Sequence, residues 1–213
     1  GNIIALFPGG FKPPHAGHFE LAKRYAQDPQ VSKVLMLIGP TTRSSQDGAV
    51  RITKESSIHI ISEFYKQFLG DKVVLEDSPG GEENPMRAAY KWIEEVAQPG
   101  EIYTLAASSK DPKRAQMFAG SHKCPEGKYC KEGVEVVVHP VDTKATIYKG
   151  RTDELNGREI SASIMREDLA NGDKENFITN LPPEARSYIG EIFDYLGGVV
   201  KKTTLPQSSL DDE

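Results

Sequence analysis

The chain has 213 residues and a mass of 23.5 kDa, with 38% hydrophobic residues, enough to bury the core of one full domain. A net charge of −5 argues against broad nucleic-acid binding but is compatible with a local basic pocket. The apolar runs are far too short to span a membrane, and no basic stretch leads into a long apolar one at the start, so neither a membrane segment nor a secretory signal is expected.

Taken in chain order, the elements alternate between strand and helix. Residues 3–7 are a short apolar run that reads as a buried first strand, and residues 17–27 have helical spacing without a breaker. Residues 34–38 are continuously apolar, as in a parallel strand covered on both faces. The polar stretch 41–50 reads as a loop, 53–69 as a long amphipathic helix and 73–75 as a third strand. Asn84-Pro85 is a cap followed by a first-turn proline, opening a helix through Val96. Strands are expected at 102–106 and 134–138, with a short helix near 112–119 between them. Beyond a connecting stretch come a helix begun at Ser161, one near 174–179 and one over 183–196. The polar tail 201–213 reads as mobile.

This order predicts one α/β domain over residues 1–200: a doubly wound parallel sheet of about five strands, with C-terminal helices from about residue 160. Cys124 and Cys130 flank a short loop after His122. A zinc site wants four ligands, and no second pair has matching spacing. The expectation is two reduced thiols without a functional role, in a cytoplasmic setting. Gly1 in place of a methionine leaves processing or release from a longer precursor open, and a homo-oligomer is equally open.

The segment Gly9-Gly10-Phe11-Lys12-Pro13-Pro14-His15-Ala16-Gly17-His18 lies where the first strand turns into the first helix. In an α/β sheet phosphates bind there, because free backbone N–H groups and the helix dipole both favour an anion. Glycine lets the backbone come close to a phosphate, and the proline pair stiffens the loop. His15 and His18 fall within one helical turn of each other. A second candidate anion cradle starts at Ile160-Ser161-Ala162-Ser163, where hydroxyls suited to N-caps precede a helix that carries Arg166 one turn inside.

Gly10-Phe11-x-Pro13-x-His15-x-Gly17-His18 resembles the first signature of the nucleotidyltransferase superfamily, which carries the HxGH element. Ile160-Ser161-Ala162-Ser163-Ile164-Met165-Arg166 resembles its second, ISxTxxR, with serine in place of threonine. Class I aminoacyl-tRNA synthetases share HxGH, but the chain is short for one and has no KMSKS-like segment. The resemblance implies a Rossmann-like strand order with the site at the switch point. It also implies transfer of a nucleoside monophosphate from a nucleoside triphosphate to a small phosphate-bearing acceptor.

In that reading His15, His18, Lys12 and Arg166 are catalytic, with His18 nearest the α-phosphate. Gly9, Gly10, Phe11, Gly17, Ile160, Ser161 and Ser163 border the nucleotide, and Ser161, Ser163 and Arg166 hold its β- and γ-phosphates. Lys12 stands where many relatives have aspartate and would set a further positive charge beside the phosphates. Arg43 and Arg51 are candidates for the acceptor. Ser109 and Asp111 match the loop that approaches base or ribose, although Lys110 intervenes between them. Magnesium is expected to be held mainly by triphosphate oxygens, with no protein metal site. ATP is preferred over CTP because the RTxGxST-type element of cytidylyltransferases is missing near Arg151-Thr152-Asp153. Nicotinamide mononucleotide is the first guess for acceptor, with phosphopantetheine and sugar or polyol phosphates open. A nucleotide-binding module without turnover, part of a larger assembly, is the alternative of another class.

Overall fold

The computed structural model describes residues 1–144 and 159–200. The expected tail and Arg151-Thr152-Asp153 lie outside these residues.

In chain order the elements are β1 (Ile3–Gly9), α1 (Ala16–Gln27), β2 (Val31–Ile38), β3 (Arg43–Ser44), β4 (Arg51–Ile52), α2 (Lys54–Ile60), α3 (Lys66–Leu69), β5 (Val73–Asp77), α4 (Pro85–Lys91), β6 (Ile102–Leu105), α5 (Lys113–Ser121), β7 (Glu135–Val136), α6 (Ala162–Ala170), α7 (Lys174–Phe177) and α8 (Ile189–Tyr195). Five strands form a parallel sheet in the order β5-β2-β1-β6-β7. The chain winds outward from β1 on one side and then returns to wind outward on the other, so the switch point lies between β1 and β6. This is the expected Rossmann-like α/β architecture.

Alternation along the central strands explains why both faces are covered. On β1, Ala5 and Phe7 enter one core while Ile4 and Leu6 enter the other; on β2, Val34, Met36 and Ile38 oppose Leu35 and Leu37 in the same way. The first core lies beneath α1, α2, α3 and the C-terminal helices, whose Met165, Leu169, Phe177 and Phe193 join it. The second lies beneath α4 and α5, built on Ala88, Ile93 and Phe118.

Several segments differ from expectation. The loop 41–50 ends in a small antiparallel ribbon, β3 against β4, closed by Ser45 N–H to the Val50 carbonyl (3.0 Å). Two-residue strands are too short to show a period in sequence. The helix expected over 53–69 is α2 and α3 joined by a π-helical stretch, Ile61–Tyr65, and α4 likewise runs into a π-helical turn, Trp92–Val96. The last expected helix begins as a 3₁₀ segment, Pro183–Tyr188. Asn84 caps α4 as its sequence implies, its side chain accepting from Arg87 N–H.

Cys124 and Cys130 form a disulfide, which corrects the expectation of free thiols. Hydrogen bonds from Gly127 N–H to Lys123 and from Tyr129 N–H to Ser121 fold the loop back, leaving the two Cα atoms 5.1 Å apart, within bridging distance. The thiol argument for a reducing compartment falls with it. No helix among the described residues is long and apolar enough to cross a membrane.

Candidate active site

The loop between β1 and α1 is held from every side by donors to its carbonyl groups. Gly39 N–H donates to Gly9 (2.9 Å), Ser57 Oγ to Phe11 (2.5 Å), Arg166 Nη1 to Lys12 (2.8 Å) and Tyr65 Oη to Pro14 (2.7 Å). Lys12 Nζ donates to the carbonyls of Gly10 (2.6 Å) and Gly39 (2.7 Å). With the negative ends of its peptides engaged in this way, the loop does not oppose an anion with its carbonyl oxygens. Phe11 takes a positive φ of 56°, a conformation rare outside glycine, and its buried ring packs edge-on against Phe7 and His18. Gly9 is required by the same packing, since a Cβ there would meet the Phe11 ring at 2.8 Å.

His15 and His18 cap α1 reciprocally. His15 Nδ1 accepts from the N–H groups of Gly17 (3.0 Å) and His18 (3.4 Å), and His18 Nδ1 accepts from His15 N–H (3.1 Å). The rings stack with centroids 3.6 Å apart. Because each Nδ1 acts as an acceptor, the neutral rings carry their protons on Nε2, which makes Nε2 a donor suited to a phosphate oxygen. His15 is buried and His18 half-exposed.

The second motif docks on the first. Ile160 packs against Ala16, and Arg166 reaches the Lys12 carbonyl. Ser161 caps α6 by accepting from Ile164 N–H (3.4 Å), while its own N–H donates to Oδ1 of the buried Asn180 (2.8 Å). Ser163 is exposed on the first turn. The Nε–H of Arg166 is shielded from water and has no acceptor, a cost of about 1–3 kcal/mol that an oxyanion at this edge of the guanidinium would remove.

Positive charge converges here. Burial, then Arg43, lower the Arg166 pKa from its ordinary value. Burial and next Arg43 bring the Lys12 ammonium down to about 8, with Glu55 opposing and Lys54 assisting. Arg43 therefore belongs to the cluster. In the β3–β4 ribbon Arg43 stands opposite the buried Ile52, whereas Arg51 pairs with Ser44 on the other face. Among the described residues no group of three or more His, Cys, Asp or Glu side chains is placed to hold a metal.

Hollows lie on both sides of the loop. A cleft of about 300 Å³ lies at the C-terminal ends of β1 and β6, lined by Phe7, Leu21, Ala107, Ser108, Asp111 and Arg114. A groove of about 520 Å³ lies beyond β2 and β5, lined by Pro40, Lys54, Asp77, Ser78, Gly80 and Trp92. Asp111 thus faces the first hollow, whereas the Ser109 hydroxyl is engaged by Asp142 (2.6 Å). Sequence reading missed Gly39, Ser57, Tyr65 and Asn180, which bind the motifs from distant segments without a local signal of their own.

The sheet order with an anion-favouring crevice beside its switch point defines a Rossmann-like α/β protein. Two solved structures from Plasmodium falciparum resemble the chain in outline, both of nicotinic acid mononucleotide adenylyltransferase, one complexed with APC and one with NaAD. The first has a TM-score of 0.48 at 11% identity, covering 92% of this chain and 98% of that one; the second has 0.46 at 13% identity over the same shares. No family model matches the chain, and no curated protein matches it significantly.

Proposed function

We propose that the chain is a nucleotidyltransferase that moves a nucleoside monophosphate, AMP in preference to CMP, from a nucleoside triphosphate to a small phosphate-bearing acceptor. The observation that carries this reading is the docking of Arg166 on the Lys12 carbonyl, which unites the two motifs beside the His15–His18 cap. An acceptor phosphate oxygen attacks the α-phosphorus, the bond to the β-phosphate oxygen breaks, and pyrophosphate leaves with the electron pair. The acceptor is already ionised at neutral pH, so the site needs positioned donors and positive charge rather than a carboxylate base. That is the chemistry of its residues.

In this reading His18 Nε2 donates to the α-phosphate as charge develops, with His15 fixing the ring beneath it. Arg166 and the start of α6 hold the β- and γ-phosphates. The nucleoside lies in the cleft between β1 and β6 near Asp111, and the acceptor in the groove beyond β2, its phosphate drawn by Arg43. Magnesium, when bound with the triphosphate, neutralises the charge that builds on the leaving pyrophosphate. The donor set around the loop is cationic and rich in N–H groups, which fits a metal brought in by phosphate oxygens.

The test is pyrophosphate release with ATP and CTP against a panel of phosphate acceptors. The expected result is release that depends on one nucleotide and one acceptor. His18→Ala is expected to lower turnover ~100-fold or more, the scale of one lost transition-state donor. A mutant with wild-type turnover would remove His18 from the mechanism.

A further inference from the structure

Lys12 was expected beside the phosphates, yet its ammonium is turned into the protein. It is almost wholly buried, with 2% of its surface exposed, and it bridges the carbonyls that end β1 and β2, Gly10 and Gly39. Its own carbonyl receives Arg166 from α6. One residue therefore ties together three segments: the histidine loop, the start of the acceptor groove between Ile38 and Pro40, and the helix of the second motif.

We propose that Lys12 is a positioning residue, a charged clamp that sets the spacing between the histidine loop and the acceptor groove, and not a ligand of the triphosphate. The role described here rests on the nucleotidyltransferase reading. Among the side chains that donate to the loop's carbonyl groups, Lys12 is the one whose charge changes near pH 8. Ser57 is neutral, Arg166 keeps its proton, and burial raises the Tyr65 phenol above its ordinary value. The charges facing Lys12 are Arg43 on β3, Lys54 and Glu55 on α2, and Arg166 on α6, with His15 and His18 on its own segment. Burial first, then Arg43, with Lys54 assisting and Glu55 opposing, bring the Lys12 pKa well below the ordinary lysine range, to about 8.

Deprotonation turns charge-assisted bonds to Gly10 and Gly39 into weaker neutral ones. Turnover should therefore fall as pH rises through 8. Stability should move the opposite way. The unfolded lysine keeps its proton up to about 10.5, so between 8 and 10.5 the unfolded state binds more protons and the folded state gains. Relief of the buried charge outweighs the weaker bonds, and a falling kcat with a level or rising Tm distinguishes the clamp from alkaline unfolding.

The experiment compares wild type, Lys12→Met and Lys12→Arg by pH-dependent kinetics, binding of a non-hydrolysable ATP analogue, and amide hydrogen exchange. In Lys12→Met, kcat at pH 7 is expected to drop about tenfold or more while analogue Kd changes by less than about threefold, the scale of one lost charge-assisted hydrogen bond. The alkaline limb should vanish in Lys12→Met. In Lys12→Arg part of the turnover should return, with the limb displaced upward. Amides around Gly10 and Gly39 should exchange faster in Lys12→Met than in wild type, a readout that stands whether or not the chain turns over the chosen substrates. Analogue binding weakened about tenfold with kcat retained would mean that Lys12 contacts phosphate directly and would overturn the clamp. Unchanged exchange at Gly10 and Gly39 would overturn it as well. A wild-type chain that binds the analogue but releases no pyrophosphate with any acceptor would instead count against the nucleotidyltransferase reading.

Discussion

The two loops that flank the C-terminal end of β1 are held by different chemistry. Toward β2, charge does the holding: Lys12 bridges Gly10 and Gly39, Arg166 grips the Lys12 carbonyl, and Arg43 adds to the same field. Toward β6, hydroxyl groups do most of the holding, beside an Asp28–His139 pair (2.7 Å) and the Ser109–Asp142 contact. The buried Tyr25 hydroxyl accepts from Ala107 N–H (3.0 Å) and donates to the His139 carbonyl (2.8 Å), Ser108 meets Thr143 (2.8 Å), and Thr104 Oγ1 accepts from His139 N–H. Lys110 adds a contact to the Thr143 carbonyl from the solvent side, where water screens it. The contrast suits the two proposed ligands. A phosphate-bearing acceptor and a triphosphate need a positive, adjustable wall, whereas a nucleoside needs a fixed one. It follows that the holds on the β2 side should respond to pH near 8 and to salt, whereas the hydroxyl contacts of Tyr25, Ser108 and Thr104 on the β6 side should not.

The largest effect that can break this comparison is expected at Arg166. Arg166→Lys keeps the charge but loses the planar fork that serves the Lys12 carbonyl and leaves Nε for an oxyanion. A loss of about 10- to 100-fold in kcat/KM is expected, matching the 1.5–3 kcal/mol of a hydrogen bond from a charged group. The variant should also respond more steeply to salt, because a flexible ammonium held by fewer fixed contacts is more easily screened. Steady-state kinetics across an ionic-strength series checks both. A lysine variant with wild-type kcat/KM would show that charge alone matters there and that the fork does not.

The next effect lies on the β6 side and falls on stability. Tyr25→Phe leaves the Ala107 N–H and the His139 carbonyl without their partner in a buried setting. The cost should be about 2 kcal/mol, or a fall in Tm of roughly 4–8 °C for a chain of this size. Burial pushes the Tyr25 phenol above its ordinary range, so it keeps its proton and the loss should be the same at pH 6 and pH 9. Thermal melts at the two pH values test this. A loss that grows with pH would mean that the β6 side titrates and that the contrast is misdrawn.

How legible these two sides were in the sequence follows from how local their determinants are. The histidine loop was readable because glycine, proline and histidine lie together in one short segment, each required by local backbone geometry or capping. The apolar alternation of β1 and β2 was equally visible, since both faces of a central parallel strand are buried. The inward turn of Lys12 was not, because its acceptor Gly39 is supplied by the end of another strand. Ser57, Tyr65 and Asn180 were invisible for the same reason: each is an ordinary residue of its own helix or turn whose partner is fixed only by tertiary packing. Arg43 and Arg51 looked equivalent because a ribbon of two-residue strands shows no alternation until its pairing is known. The contact between Ser109 and Asp142 was hidden too, since it joins distant residues in stretches with no pattern of their own. The disulfide was misjudged because cysteine count speaks of compartment, whereas the local turns decide whether the two residues meet.

The smallest expected effect sharpens the comparison most, because it separates binding from catalysis on the β6 side. Ser108 is fully buried, shares a hydrogen bond with Thr143 and accepts from Lys110 N–H (3.2 Å), and it lines the cleft assigned to the nucleoside. Ser108→Ala removes both bonds but leaves Lys110 N–H near solvent, so the stability loss should be about 1 kcal/mol. Its kinetic signature should be a rise of a few-fold in KM for the nucleotide with kcat retained, since the wall of the cleft moves while the histidine loop and Arg166 do not. Ala107 and Ser108 are adjacent, so the double variant with Tyr25→Phe should lose less than the sum of the two single losses, the two changes loosening one loop. A fall in kcat with KM unchanged would place Ser108 on the path of the transferred group. The β6 side would then take part in the chemistry, and the division between an adjustable wall and a fixed one would no longer hold.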